Sequence, residues 1–209
     1  ITDPAGIIDS NDAVIFFNFR EDSIRQLART FIEPEFNMFP RKELANMRVV
    51  LMTQYVELPG VNVNVAFPLP TILNGLAEVL ANRGKRQLRI AETAKYAHTT
   101  YFFNCLHNKP FPGETDILIE SYKTHTEHPK MRAPDIADKL VAELKNNSFD
   151  FAVINLANAD IISHMGTLEL ATKGVEAIDV ALASIAQASA AKNGIMVITA
   201  DHGNAESLI

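Results

Sequence analysis

The sequence predicts an α/β fold: a mainly parallel sheet with helices on both faces. Two strand-length apolar runs, 149–157 (FDFAVINLA) and 194–200 (GIMVITA), flank a long Ala-rich helical stretch at 167–191. Strands that are apolar throughout and joined by a helix are expected to be parallel neighbours covered on both sides. Ligands of such sheets sit beyond the C-terminal ends of the strands, which directs attention to the polar residues that follow them.

The remaining elements follow in chain order. Residues 13–19 (AVIFFNF) form a short aromatic-rich run suited to a strand. Ile24, Leu27, Ala28 and Phe31 then recur on one helical face that ends before Pro34. A second strand is expected at 47–55. Residues 57–70 carry Pro59, Gly60, Pro68 and Pro70 with little periodicity, as an interdomain connection does. Beyond it the pattern alternates. A helix at 71–83 stops at Gly84, a suitable left-handed cap. Strands are expected at 87–92, 99–104 and 116–120, and a helix at 134–145 opens on Pro134.

Composition narrows the function. The 209 residues are 47% hydrophobic and 21% charged, as in an ordinary globular protein. A formal net charge of −6 offers no basic field for nucleic acid, so an anionic substrate requires a local cluster of cations. No apolar run approaches the roughly 20 residues that span a bilayer. Cys105 is the single cysteine, which excludes an intrachain disulfide and suits a reducing cytoplasm. The chain begins at Ile1 without a Met or a signal-peptide pattern and stops at Ile209 just after a polar motif, so both ends read as cut.

Candidate metal ligands follow the two apolar runs. Asp160 and His164 lie four residues apart, which places both on one side of a helical turn. Asp201 and His202 are adjacent in a post-strand turn. If both strands share a sheet, all four side chains converge at one edge. Mixed carboxylate and imidazole donors suit Zn²⁺ or Mn²⁺ better than Ca²⁺. Either pair alone is more commonly a helix cap or turn former beside a surface histidine; it is their joint occurrence that points to metal.

Residues 198–206 (ITADHGNAE), 155–160 (NLANAD) with His164 and Gly166, 89–98 (RIAETAKYAH), 17–20 (FNFR) and 110–114 (PFPGE) occur in this order along the chain. Together they resemble the cofactor-independent (2,3-bisphosphoglycerate-independent) phosphoglycerate mutases of the alkaline phosphatase superfamily. The resemblance implies an alkaline-phosphatase-like sheet in 67–209, with 1–66 the tail of an inserted α/β substrate domain. It further implies interconversion of 3-phosphoglycerate and 2-phosphoglycerate through a phosphoserine. Two Mn²⁺ ions, or other divalent ions such as Zn²⁺, Co²⁺ or Mg²⁺, are implied, with no bisphosphoglycerate cofactor. Asp160 and His164 would hold one metal, and Asp201 and His202 the other. Lys95 would contact the transferring phosphoryl group, where the ordinary expectation for a lysine is an exposed side chain. Arg20 would bind substrate carboxylate or phosphate through its planar fork, against a simple ion pair with Glu21 or Asp22.

Glu92 and His98 fit a structural role around Lys95 as well as a catalytic one, and His107, His125 and His128 read as surface residues. Two departures from the family pattern stand out. Ser23 occupies the place of a second substrate arginine, with Arg25 the nearest substitute, and Asn104-Cys105-Leu106 replaces a glycine-rich segment. The family's serine nucleophile, one Asp ligand and one His ligand have no counterpart among these residues. The isolated chain is therefore expected to be inactive, and the complete protein to be a monomer. The alternatives are a non-catalytic fragment, or a phosphatase or phosphopentomutase of the same superfamily.

Overall fold

In the computed structural model the described residues are 6–21, 24–55, 63–165 and 167–208. They form two compact units, Ile1–Thr71 and Ile72–Ile209, against an expected division at 66/67. No helix among the described residues is long and apolar enough to cross a membrane.

The first unit holds a parallel three-stranded sheet in the order β1 (Ala13–Phe16), β2 (Arg48–Leu51), β3 (Asn64–Val65), with helix α1 at Ile24–Ile32. Phe16, Ala28, Ile32, Leu51, Met52 and Tyr55 make its core. The first strand stops three residues short of the expected end, leaving Phe17 and Phe19 exposed. Its ladder ends at the Phe16 carbonyl, which accepts from the Met52 N–H and from the Tyr55 hydroxyl; beyond it the same hydroxyl donates to the Asn18 carbonyl. The stretch expected as a connection contains β3, which pairs Val50 with Asn64 and Leu51 with Val65; residues 56–62 and the Ser23 departure lie outside the described residues.

The second unit carries the parallel sheet β5–β4–β6. Strand β4 (Gln87–Glu92) is central and fully buried, flanked by β5 (Glu114–Ile119) and β6 (Phe151–Ile154). Leu88 and Ile90 point to one face, where they meet Ala133, Ile136, Ala137 and Leu140 of α3 (Ala133–Lys145) and Ala181 and Ile185 of α5 (Leu168–Ala190). On the other face Gln87 donates to the Ala77 carbonyl of α2 (Leu76–Asn82) at 2.9 Å. Gly84, at φ +64, closes α2 through Gly84 N–H to Ala81 O and Lys85 N–H to Leu80 O, a turn that only glycine makes without strain.

Two expected strands do not form. Residues 98–102 make a π-helical turn (His98–Phe102), where a strand was expected at 99–104. The Thr99 and Thr100 hydroxyls both donate to the Tyr96 carbonyl, and this local bonding overrides the strand preference of a β-branched, aromatic sequence. The glycine-rich departure follows directly: Cys105 and Leu106 adopt φ +57 and +69, the region glycine prefers. At 194–200 no ladder is made, and Ile195, Val197 and Ile198 are exposed while Met196 packs on the core. A strand exists only where a neighbour accepts its backbone bonds, and among the described residues none does so here.

Beneath β4 lies a buried charged cluster. Arg89 and Glu114 have no solvent-exposed side-chain surface and approach to 3.9 Å, with Arg89 also over the Phe103 and Phe151 rings at 4.7 and 5.6 Å. Asp116 lies opposite Arg89 in the strand register, with Oδ1 buried and without a hydrogen-bond partner. Burial, and then the Glu114 carboxylate, push the Asp116 carboxyl up to about 6 despite Arg89. A folded-state value raised above the ordinary one gives stability that is full below about 4 and lost as pH rises through about 6. Asp116→Asn should therefore flatten the pH dependence of unfolding between pH 4 and 7. It should also gain on the order of 1 kcal/mol over the parent at pH 8, the partly solvated carboxyl screening the full 1.36 kcal/mol per unit. Denaturant titrations at three pH values read this out.

Candidate metal and phosphoryl site

The site is assembled at the C-terminal ends of β4 and β6. After β6 the chain enters helix α4 (Asn158–Ser163). Asn158 is fully buried and its amide donates to the carbonyls of Pro129 and Lys130, which fixes where the helix starts. Asp160 falls in the first turn, where the exposed backbone N–H groups favour a carboxylate. His164 follows one turn later, and its Nε2 lies 3.2 Å from Asp160 Oδ1. The helical spacing read from the sequence thus places both side chains together.

After β4 a 3₁₀ turn (Thr93–Lys95) carries Lys95 toward α4. Its Nζ lies 2.6 Å from Asp160 Oδ2, and the lysine side chain is only 13% exposed, so the ordinary surface role does not apply. The turn is pinned by Ser121, a residue without any distinguishing pattern in the sequence. Ser121 Oγ donates to Glu92 Oε2 at 2.9 Å and accepts from the Ala94 N–H, while the Ser121 N–H donates to Thr93 Oγ1. Glu92 is fully buried and serves this brace. Burial pushes the Asp160 carboxyl up, but hydrogen bonds from Lys95 and Asn204 outweigh it and hold the group below the usual carboxylate range.

Asp201 and His202 are exposed and pair with each other, His202 Nε2 lying 3.6 Å from Asp201 Oδ2. Among the described residues no group of three or more His, Cys, Asp or Glu gathers as a metal site. The four candidate ligands therefore stand as two pairs, and the link between them is Asn204, whose amide reaches Asp160. Asn204 carried no signal of its own, since asparagine after a strand is an ordinary turn former. Arg20 lies exposed in the first unit. Glu21 is buried and pairs with Arg25 at 3.6 Å, which engages the arginine expected as a substitute for Ser23. Gly166 lies outside the described residues. Of the three histidines expected at the surface, His107 and His128 are exposed, but His125 is half-buried with Nδ1 shielded and unpartnered.

The donor chemistry fits a divalent ion pairwise. Bonds of about 2.0–2.2 Å to a shared ion leave neighbouring O and N donors roughly 3 Å apart, and Asp160 Oδ1 and His164 Nε2 are 3.2 Å apart.

Comparison with known proteins matches the chain to a metal-using superfamily. The family model described as the metalloenzyme superfamily matches residues 1–209. A 2,3-bisphosphoglycerate-independent phosphoglycerate mutase of Shewanella frigidimarina is 41% identical over 206 residues, covering 98% of this chain and 40% of that protein. One from Pseudomonas syringae pv. syringae is 44% identical over 207 residues, covering 98% and 40%. A crystal structure of Leishmania mexicana phosphoglycerate mutase at low cobalt concentration superposes with a TM-score of 0.85 at 32% identity, covering 97% of this chain and 37% of that one. The chain thus spans about 40% of the length of these relatives.

Proposed function

Given that the chain belongs to the metalloenzyme superfamily, we propose that it supplies the metal-binding and phosphoryl-handling part of a phosphoglycerate mutase. The reaction is interconversion of 3-phosphoglycerate and 2-phosphoglycerate through a phosphoserine whose serine is not among these residues. The observation that carries the reading is the half-buried Lys95–Asp160 pair with His164 beside it, at the strand ends where α/β sheets bind ligands. Asp160 and His164 hold one divalent ion, and Asp201 and His202 the other; Mn²⁺ is the first choice, with Zn²⁺, Co²⁺ and Mg²⁺ as alternatives. When bound, such ions neutralise charge on a transferring phosphoryl group and lower the pKa of a nearby hydroxyl.

The chain's own residues do the rest. Lys95 is held by Asp160 with its ammonium at the site, ready to meet a phosphoryl oxygen as a point charge. Ser121 and Glu92 keep its turn in place. Arg20 binds the substrate carboxylate or phosphate. The half-buried lone thiol of Cys105 and the acidic net charge suit a soluble cytoplasmic monomer.

A second reading, a phosphatase or phosphopentomutase of the same superfamily, draws on the engagement of Arg25 by Glu21, which leaves the substrate side one arginine short of the family pattern. The whole gene product, loaded with Mn²⁺ and without added bisphosphoglycerate, is to be assayed on 3-phosphoglycerate, ribose 1-phosphate and p-nitrophenyl phosphate. Isomerisation of 3-phosphoglycerate well above turnover of the other two supports the mutase. Preferential turnover of either of the others replaces it with the second reading.

A further inference from the structure

Each candidate ligand pair is internally held, but nothing in a pair fixes its distance from the other. Asp160 and His164 ride on one helix turn; Asp201 and His202 ride on an exposed loop. Asn204 joins them. Its half-buried side-chain amide donates at 3.2 Å to the Asp160 carbonyl and at 3.2 Å to Asp160 Oδ1, across 44 residues of sequence. The two amide hydrogens can serve both acceptors together.

This contact leaves the rest of the carboxylate free for its other tasks. Oδ1 retains a lone pair toward His164 Nε2, and Oδ2 receives Lys95. The loop is itself preformed around Asn204. The Asn204 N–H donates to Glu206 Oε2 at 2.7 Å, and Glu206 folds so close to Gly203 that a Cβ there would lie 1.9 Å from Oε1. The same residue is therefore tied through its backbone to its own loop and through its side chain to the opposite ligand pair.

We propose that Asn204 is a positioning residue that latches the Asp201–His202 loop onto Asp160, so that one amide sets both metal-ligand pairs in register. The latch deepens the metal reading above and rests on it for its functional meaning, but it exists in the metal-free chain and can be measured there.

The test uses the 209-residue chain as parent and as Asn204→Ala, Asn204→Gln and Asn204→Asp. Hydrogen exchange without metal is the first readout. Asn204→Ala should speed exchange tenfold or more in 201–206 and at Ile161 and His164, whose N–H groups donate to the Ala157 and Asp160 carbonyls, with α3 and β4 unchanged. The second readout is calorimetric titration with Mn²⁺. Loss of a group that orients a ligand typically costs 10–100-fold in metal affinity, so Asn204→Ala should bind that much more weakly. Asn204→Gln keeps the amide and should recover part of the loss, whereas Asn204→Asp sets a second carboxylate against Asp160 and should not. Unchanged exchange in Asn204→Ala overturns the latch, as does Mn²⁺ affinity within twofold of the parent. A parent that binds no Mn²⁺ sinks the metal reading instead, and the exchange result still decides the latch.

Discussion

Arg89→Met should destabilise the second unit by about 3–5 kcal/mol near neutral pH, the cost of breaking a fully buried ion pair from one side. Arg89 is wholly enclosed in the central strand, donating to Gln87 Oε1 at 2.8 Å and lying 3.9 Å from Glu114. Methionine covers the Phe103 and Phe151 rings but leaves Glu114 and Asp116, neighbours on one face of β5, without a cation. The loss should shrink in acid, because protonating the carboxylates removes their repulsion. Asp116 already titrates near 6, and removing the cation that lowers it moves it higher. Adding Asp116→Asn and Glu114→Gln to Arg89→Met should recover a large part of the stability at pH 7. Urea titrations in a double-mutant cycle give the coupling directly. A loss below about 1 kcal/mol would show that the cluster is not a structural pair.

Lys95→Met should lower turnover of the whole gene product by about 10²–10³-fold, the usual cost of removing one preorganised group that stabilises developing charge. Its effect on metal should be much smaller, with Mn²⁺ affinity staying within about tenfold of the parent. Lys95 contacts Asp160 Oδ2, whereas His164 and Asn204 face Oδ1, so the donor edge survives its loss. Steady-state kinetics combined with calorimetry separate the two effects. Equal losses in turnover and in affinity would place Lys95 among the groups that build the metal site, and would remove its assignment to the phosphoryl group.

Much of the second unit was legible in the sequence, because periodicity and burial agree there. The strand expected at 87–92 is β4 to the residue, and Gly84 and Pro134 mark helix ends as glycine and proline should. The polar residues inside β4 were readable as strand but not as a buried cluster. Nothing local reveals that Arg89 will find Glu114 and Asp116 across the ladder. The segment 99–104 misled because threonines and aromatics favour strands on average, while here two threonine hydroxyls bond a single carbonyl and wind the chain into a turn. The segment 194–200 misled for a different reason. Apolar composition specifies a wish to be buried, but a strand also needs a partner edge.

The candidate site divides in the same way. The Asp160–His164 pair follows from helical spacing alone, and the structure sets the two side chains together. The Lys95–Asp160 contact joins residues 65 apart, and no spacing argument reaches that far. Asn204 and Ser121 are the further cases, since each makes several tertiary hydrogen bonds that composition and periodicity do not encode.

The central claim is that Asp160 and His164 hold a divalent cation, and calorimetric titration of Mn²⁺ into this chain and its Asp160→Asn variant tests it most directly. Saturable binding by the parent that is lost in Asp160→Asn, with the far-ultraviolet circular dichroism unchanged, is the predicted result. Equal binding by both proteins would contradict it.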